Sequence, residues 1–327
     1  MTLPPRKWKW RMRGAALAFE PLVRALDRPP EIVVTTDMLN LPELMALLRD
    51  FIPPPARAIT YFHENQITYP LPRRDERDFH FGLANIYSAL ASDRVVFNSR
   101  FHLEEFLEAI PGVIGLMPDH RPGDLADRIR ARSEVIGVPL DVVGPGAEDG
   151  ARDPIVIWNH RWEDDKDPET FFEAMDALDR TGIPFSLMML GQSFREQPAC
   201  FERARARLAH RIAHWGFLQD RGAYLDALGR GRVVVSTARH DFFGLAVREA
   251  IAAGCYPLLP RRVVYPEMVE GRAEHLWESP EDLIQGLVRT LSGPPPRVDP
   301  GLRERLAGER PAGAARKFDA LIDALVS

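Results

Sequence analysis

The sequence predicts an α/β protein built from two doubly wound parallel-sheet domains. Two observations carry that prediction. Short apolar or β-branched runs alternate with helical patterns along the whole chain, and each run is apolar throughout, as in strands buried on both faces. Near the middle, residues 142–154 (VVGPGAEDGARDP) concentrate glycine, proline and charge in the manner of a linker. A chain of 327 residues with 45% hydrophobic and 27% charged content has enough material for two such domains.

In order, the chain opens with TLPPRKWKWRMRG, a turn entering a helix. A doubly wound half normally opens with a strand, a glycine-rich turn and a helix, so the N-terminal domain is expected to lack its first strand and helix. Strands are predicted at 32–36, 57–62, 93–97 and 113–117 within a domain spanning 1–145. The second domain, 146–311, repeats the scheme with strands at 154–158, 185–190, 211–217, 232–236 and 256–259. A proline-rich stretch at 293–301 precedes an apolar-periodic helix at 312–326, and this C-terminal piece, 312–327, is expected to pack back on the first domain.

Charge and composition narrow the function. Lys and Arg number 42 against 47 Asp and Glu, a net charge of -5, which argues against a wholly basic nucleic-acid binder and leaves room for a regional basic patch. Cys200 and Cys255 are too few for a disulfide framework or a zinc cluster and read as reduced core thiols. The basic N-terminus lacks a signal peptide's apolar core, and no apolar run reaches membrane-spanning length, so the expected location is cytoplasmic. G-x-G-x-x-G, G-x-x-x-x-G-K-[ST] and G-x-S-x-G are all missing, which removes the main support for dehydrogenase, P-loop and α/β-hydrolase readings.

The chemistry concentrates in two segments of the second half. In STARHDFFGLAVREAIAAGC, residues 236–255, a strand ends at Ser236, a loop follows, and a helix opens near Phe243 and stops at Gly254. The N–H groups of Gly244 and Leu245 at that helix start suit a diphosphate, because orphan donors and the helix dipole both favour negative charge there. Glu249, in the second turn, is placed to accept from ribose hydroxyls, and Asp241 in the loop to reach a transferred sugar. The competing reading of a lone Glu is an exposed acid on a helix face. In IWNHRWEDDKDPETFF, residues 157–172, Arg161 and Lys166 flank a loop beyond a strand's carboxyl end, where two cations suit a pyrophosphate. Their alternative is ion pairing with Glu163, Asp164 and Asp165. The Asp-Lys-Asp at 165–167 matches a short metal signature inside a charge-dense loop, and no metal is expected.

In the first half, AITYFHENQITYP at 58–70 sets His63, Glu64, Asn65 and Gln66 after a predicted strand, a plausible sugar or acceptor site. Ile67 stands where a zinc-protease motif needs histidine. Asp119, His120 and Arg121 form a second polar cluster after the strand predicted at 113–117. The N-terminal RKWKWRMR interleaves Arg6, Lys7, Lys9, Arg11 and Arg13 with Trp8 and Trp10. Cations grip phosphates while indoles stack on bases, and the alternative is a solvated edge whose tryptophans pack on the core.

Asp241 and Glu249, with seven residues between them, resemble the acidic pair of family-4 glycosyltransferases, with Asp in place of the usual first Glu. Arg161 and Lys166, five apart, are similar to the cations that hold the donor diphosphate in that family. A narrower resemblance covers nearly the whole chain: LPPRKWKWRMRGAAL, YFHENQITYP, VVFNS, PDHRP, WNHRWEDDKDPE and HDFFGLAVREAIAAGCYPLLPRRVVYPE resemble segments of the tRNA-queuosine mannosyltransferases. These transfer mannose from GDP-mannose to queuosine at the wobble position of aspartate tRNA. The family's proteins begin with a glycine-rich strand-turn-helix that this chain lacks.

The resemblance implies a GT-B fold and a retaining, metal-independent transfer in the cleft between two Rossmann-like domains, with tRNA-Asp and a nucleotide sugar as partners and no stable membrane association. It implies donor binding by Glu249 at the ribose, Arg161 and Lys166 at the diphosphate, Phe243, Gly244 and Leu245 beside it, and Gly216 with Phe217 bordering the base. Asp241 and His63 would contact the mannose. Acceptor binding would fall to His63 through Gln66, Asp119 to Arg121, and the stripe from Arg6 to Arg11. Two other readings stand beside this one: a glycosyltransferase with a lipid or polysaccharide acceptor, and a non-catalytic module that binds a nucleotide sugar or RNA.

Overall fold

The computed structural model describes residues 1–4, 6–54, 56–70, 78–140, 152–193, 197–308 and 311–326. The chain forms two compact units, the first comprising Met1–Gly137 with Ala315–Ser327 and the second Val138–Ala314. The domain division at 145/146 and most of the 142–154 stretch lie outside the described residues.

Unit 1 runs α1 (Trp8–Arg24), β1 (Ile32–Thr36), α2 (Leu41–Leu47), β2 (Arg57–Phe62), α3 (Phe79–Ala91), β3 (Arg94–Phe97), α4 (Arg100–Ile114), α5 (Leu125–Arg130) and β4 (Ser133–Val135). Its four strands pair in parallel in the order β1-β2-β3-β4. Side chains alternate across the sheet: Ile59, Tyr61 and Val96 face one core with Ile136, while Phe62, Val95 and Phe97 face another with Ile86, Phe106 and Ile110. That double burial is why these strands read as unbroken apolar runs. Residues of α13 (Pro311–Val326) close the first face, with Leu321 buried there and the Phe318 ring 5.4 Å from Tyr61.

The strand expected at 113–117 is not formed. Leu103, Phe106, Leu107, Ile110 and Ile114 recur at helical spacing and carry α4 to Ile114, through Pro111, before a turn. Burying that stripe outweighs the β-character of Val113 and Ile114. The fourth strand is instead Ser133–Val135, three residues with a polar centre and no readable pattern.

Unit 2 contains β5 (Ile155–Trp158), α6 (Pro168–Arg180), β6 (Ser186–Met189), α7 (Cys200–Arg207), β7 (Ile212–Trp215), α8 (Arg221–Arg230), β8 (Val233–Val235), α9 (Leu245–Ala252), β9 (Tyr256–Pro260), α10 (Tyr265–Met268), β10 (Leu276–Trp277), α11 (Pro280–Ser292) and α12 (Pro300–Gly308). The strand order is β10-β9-β8-β5-β6-β7, with the determined registers all parallel. The chain winds outward from β5 through β6 to β7, returns to β8 on the other side of β5, and winds outward again. The reversal between β5 and β8 opens a crevice at the carboxyl ends of those strands. Two-residue β10 and helix α12 were not foreseen, since neither carries a strong period.

Trp158, Phe171, Phe172 and Phe201 lie fully inside the unit 2 core. Each contributes on the order of 2 to 3 kcal/mol by burial. Cys200 and Cys255 are free and buried, and burial pushes the Cys255 thiol up to about 12. Among the described residues, no helix is long and apolar enough to cross a membrane.

Gly191, just past β6, lets the loops after β5 and β6 meet backbone to backbone. A Cβ there would sit 1.5 Å from the His160 carbonyl oxygen. Gly191→Ala is therefore expected to destabilise unit 2 by about 3 kcal/mol, measured as a lowered urea midpoint.

Candidate active site

The switch between β5 and β8 brings two sequence-distant loops together. Lys166, 7% exposed, ends the loop after β5 in a 3-10 turn. Its ammonium donates to the His240 carbonyl at 2.6 Å, lies 3.0 Å from Asp165 Oδ2, and stands 4.0 Å from Asp241 Oδ2. The two loops are stitched by Thr237 Oγ1 donating to the Lys166 carbonyl at 2.8 Å and by the Arg239 N–H donating to the Asp165 carbonyl at 2.8 Å. Burial alone would lower the lysine's pKa, but Asp241 and Asp165 outweigh it and hold the ammonium charged.

Asp241 is fixed on both oxygens. Oδ1 accepts the Gly244 N–H at 2.7 Å and, at longer range, that of Phe243 at 3.4 Å, while Oδ2 accepts the Tyr265 hydroxyl at 3.1 Å. Burial would raise this carboxyl's pKa, yet Lys166, His160, the Gly244 N–H and Tyr265 together hold it below the usual range. Gly244 caps α9 in a left-handed conformation, φ 72°, where a Cβ would lie 2.5 Å from Met268 Cε. Its N–H is spent on Asp241 rather than left for a ligand, which corrects its expected part in anion binding. Donors for an anion at this helix start begin at Leu245, because the first-turn N–H groups have no carbonyl within α9 to bond.

Glu249, on α9, is buried, with Oε1 accepting from Arg221 at 2.6 Å and Oε2 from the Tyr224 hydroxyl at 3.0 Å. Asn159 Nδ2 donates to Tyr224 at 3.1 Å and to the Ala246 carbonyl at 2.7 Å, tying the end of β5 to α9. The lone-acid-on-a-surface alternative for Glu249 is thereby removed. Phe243 turns inward, its ring beneath the Arg248 guanidinium at 4.1 Å. Arg161 is half-exposed and pairs with Glu163 at 3.1 Å. Gly216 and the 56% exposed Phe217 follow β7 at the same carboxyl edge of the sheet.

The short Asp-x-Asp at 165–167 is divided between two tasks. Asp165 faces Lys166, while Asp167 pairs with Arg239 at 2.8 Å and accepts from Thr170 at 3.0 Å. Two buried imidazoles, His160 and His240, flank the ammonium. Burial, reinforced by Lys166, pushes each down to about 4, so both are neutral at pH 7.

In unit 1 the polar residues also gather at the carboxyl ends of strands. Asp37 after β1, His63 after β2 and Asn98 after β3 are linked: the His63 N–H donates to Asp37 Oδ1 at 2.9 Å, and Asn98 Nδ2 to the His63 carbonyl at 2.9 Å. The His63 ring packs against Tyr61 in a tilted arrangement, centroids 4.3 Å apart. Asn65 builds the loop, its Oδ1 accepting the N–H groups of Ile67 and Thr68. Gln66 donates to Glu64 at 2.9 Å. Burial and the nearby Glu64 push Asp37 up to about 8.

Asp119, His120 and Arg121 do not join this group. They sit in the turn after α4, and a helix that starts at the carboxyl end of β3 and returns along the sheet ends at the opposite edge. The N-terminal stripe does join that carboxyl edge. Trp8 packs on Phe81 at 5.2 Å, near the start of α3, and Arg13 pairs with Asp78 at 3.0 Å. Trp10 is 73% exposed, with Arg6, Lys7 and Lys9 exposed beside it. The two readings of the stripe therefore divide between the indoles: Trp8 is packed and Trp10 is open.

Sequence reasoning missed Asp37, His160, Arg221, Tyr224, His240 and Tyr265. His160 and His240 lay inside the quoted segments and carried a signal, being polar residues next to strand ends. Asp37, directly after the strand predicted at 32–36, carried the same signal, while Arg221, Tyr224 and Tyr265 are brought in by tertiary contact.

Residues 1–140 match the family described as tRNA-queuosine alpha-mannosyltransferase N-terminal, and residues 148–301 match Glycosyl transferases group 1. A tRNA-queuosine alpha-mannosyltransferase of Drosophila melanogaster is 36% identical over 278 residues, covering 82% of this chain and 73% of the relative. A GDP-mannose-dependent alpha-(1-6)-phosphatidylinositol dimannoside mannosyltransferase of Mycobacterium tuberculosis is 26% identical over 238 residues, 69% of this chain and 56% of the relative. Among solved structures, sucrose-phosphate synthase from Thermosynechococcus elongatus superposes with a TM-score of 0.73 at 18% identity over 100% of this chain and 81% of that one. An alpha,alpha-trehalose-phosphate synthase from Burkholderia xenovorans gives 0.62 at 14% identity, over 98% and 77%. These likenesses establish the GT-B fold.

The neutral histidines generate a pH dependence. Between about pH 4 and the ordinary histidine value of 6.5, the unfolded chain binds protons at His160 and His240 that the folded chain excludes, so stability falls as pH is lowered through that window. His160→Gln is expected to remove roughly half of these two residues' contribution to the slope, measured by urea unfolding at steps between pH 7 and pH 4.

Proposed function

We propose that this chain, which belongs to the tRNA-queuosine alpha-mannosyltransferase family, transfers mannose from GDP-mannose to queuosine at the wobble position of tRNA-Asp. The observation that carries the donor half is the meeting of Lys166, Asp241 and Glu249 at the switch between β5 and β8. A buried cation, a fixed carboxylate and a helix start at one strand edge suit a sugar diphosphate better than any neutral ligand. The GDP-mannose dependence of the mycobacterial relative supports the donor.

In this reading Lys166, Arg161 and the first-turn N–H groups of α9 from Leu245 onward take the diphosphate. Glu249 takes the ribose hydroxyls, its two present donors being retained or exchanged, and Gly216 with Phe217 borders the base. Asp241 addresses the mannose. An α-mannosyl product from an α-linked donor means retention at the anomeric carbon. The acceptor oxygen forms the new bond to that carbon as its bond to the β-phosphate oxygen breaks, and the acceptor proton passes to the departing phosphate oxygen. No enzymic nucleophile is needed, and developing negative charge falls where the cations stand. The enzyme so described is cytoplasmic and metal-independent.

Acceptor recognition falls to unit 1. Trp10, open beside Lys7 and Lys9, offers a stacking face for an unpaired base and cations for its phosphates.

The reading is tested by incubating the protein with labelled GDP-mannose and queuosine-containing tRNA-Asp, with queuosine-free tRNA, UDP-glucose and phosphatidylinositol vesicles as controls. Label reaching only queuosine tRNA, and only from GDP-mannose, is the expected result; label reaching lipid or no acceptor would sink it. Asp241→Asn is expected to lower turnover by at least about a hundredfold with folding intact, read by circular dichroism and initial rates. Trp10→Ala is expected to weaken tRNA binding about tenfold in a filter assay while leaving the melting temperature unchanged. Trp8→Ala is expected to lower that temperature, because it removes packing on Phe81.

A further inference from the structure

We infer that Tyr265 is a positioning residue for Lys166: by holding Asp241 away from the ammonium, it keeps that ammonium available to the donor's diphosphate. The inference rests on the reading that Lys166 meets the diphosphate.

Tyr265 opens α10, in the segment that follows β9 and packs on the loop carrying Asp241, and its side chain is completely buried. Its hydroxyl receives a hydrogen bond from Ser236 Oγ at 2.8 Å and donates to Asp241 Oδ2 at 3.1 Å. Ser236 is itself fixed by the Ala238 N–H at 3.3 Å. The Gly244 N–H holds the other carboxylate oxygen at 2.7 Å. Two clamps on two oxygens set the plane of the carboxylate. Lys166 Nζ then stands 4.0 Å from Oδ2, outside hydrogen-bond range and inside strong Coulombic reach.

The ammonium already meets Asp165 at 3.0 Å and the His240 carbonyl at 2.6 Å, and Asp241 is a second acid within its reach. In a poorly solvated pocket Lys166 and Asp241 are drawn toward a charge-assisted contact near about 2.8 Å. Such closure would spend on Asp241 the lysine N–H left over from Asp165 and the His240 carbonyl, the one a diphosphate would meet. Tyr265 resists it by satisfying Oδ2 with its own hydroxyl. The phenol suits the task, since burial and the adjacent Asp241 hold it protonated and therefore a donor at any working pH.

The test is calorimetric titration of GDP-mannose into the full chain and five variants. Lys166→Met is expected to lower affinity at least about tenfold. Tyr265→Phe, which keeps the ring and so leaves little cavity, is expected to lower it about fivefold. In an Asp241→Asn background, where position 241 carries no charge to close on Lys166, adding Tyr265→Phe is expected to cost nothing further. Ser236→Ala is expected to give a smaller loss in the same direction, and it decides the matter if Tyr265→Phe does not fold. Full affinity in Tyr265→Phe alongside a weakened Lys166→Met overturns the inference alone, as does a Tyr265→Phe loss that persists in the Asp241→Asn background. Full affinity in Lys166→Met overturns both the inference and the donor reading it rests on.

Discussion

Lys166 carries a charge into a place with almost no water, and much of the carboxyl edge of unit 2 is arranged to keep it there. An ammonium 7% exposed needs compensation from both charge and hydrogen bonds, or it deprotonates. Asp165, Asp241 and the His240 carbonyl supply it, and each comes from one of the two loops flanking the switch. Asp241 in turn holds the N–H of Gly244, the N-cap of α9, so the residue that balances the lysine also anchors the start of the helix from which Glu249 projects. Removing the lysine would leave two buried acids facing each other, a larger penalty than any single contact in the group contributes.

How much of this was legible depended on whether the signal was local. The strands around the switch were readable because each is buried on both faces and so unbroken in its apolarity, as IVIW and VVV are. From that, the loops after them were identifiable as the ligand edge, and Arg161, Lys166 and Asp241 fell on those loops. The mistaken strand at 113–117 came from a helical stripe whose last turn is β-branched, where length and period should have outweighed composition. Ser133–Val135 and Leu276–Trp277 are strands by virtue of a neighbour to pair with, which no window of sequence encodes. Arg221, Tyr224 and Tyr265 were invisible for the related reason that a side chain's partner two or three elements away leaves no periodic trace.

The basic stripe reconciles an acidic chain with an RNA substrate. Five cations without an acid between Arg6 and Arg13 concentrate positive charge on the first turns of α1, while the rest of the chain carries the excess acid. At physiological ionic strength screening acts over about 8 Å, so a phosphate near the stripe responds to the local cations and not to the net charge. The same helix start lies at the carboxyl edge of unit 1, where Asp37, His63 and Asn98 meet. Phosphate attraction and the neutral hydrogen-bonding groups suited to a hydroxylated acceptor are thus presented at one edge.

The charge around Lys166 also assigns distinct work to Arg161. Lys166, Asp165 and Asp241 sum to one negative charge, and with His160 and His240 neutral nothing nearby reverses it. A diphosphate therefore approaches a site whose inner shell is not positive. Arg161 is the cation able to change that cheaply: its partner Glu163 is a half-exposed acid, and such a surface pair is worth about 0 to 1 kcal/mol. Lys166 cannot move in the same way, because its charge holds two loops together. Under the proposed donor reading, the buried lysine marks where the phosphate sits, while the exposed arginine and the first-turn N–H groups of α9 add charge there.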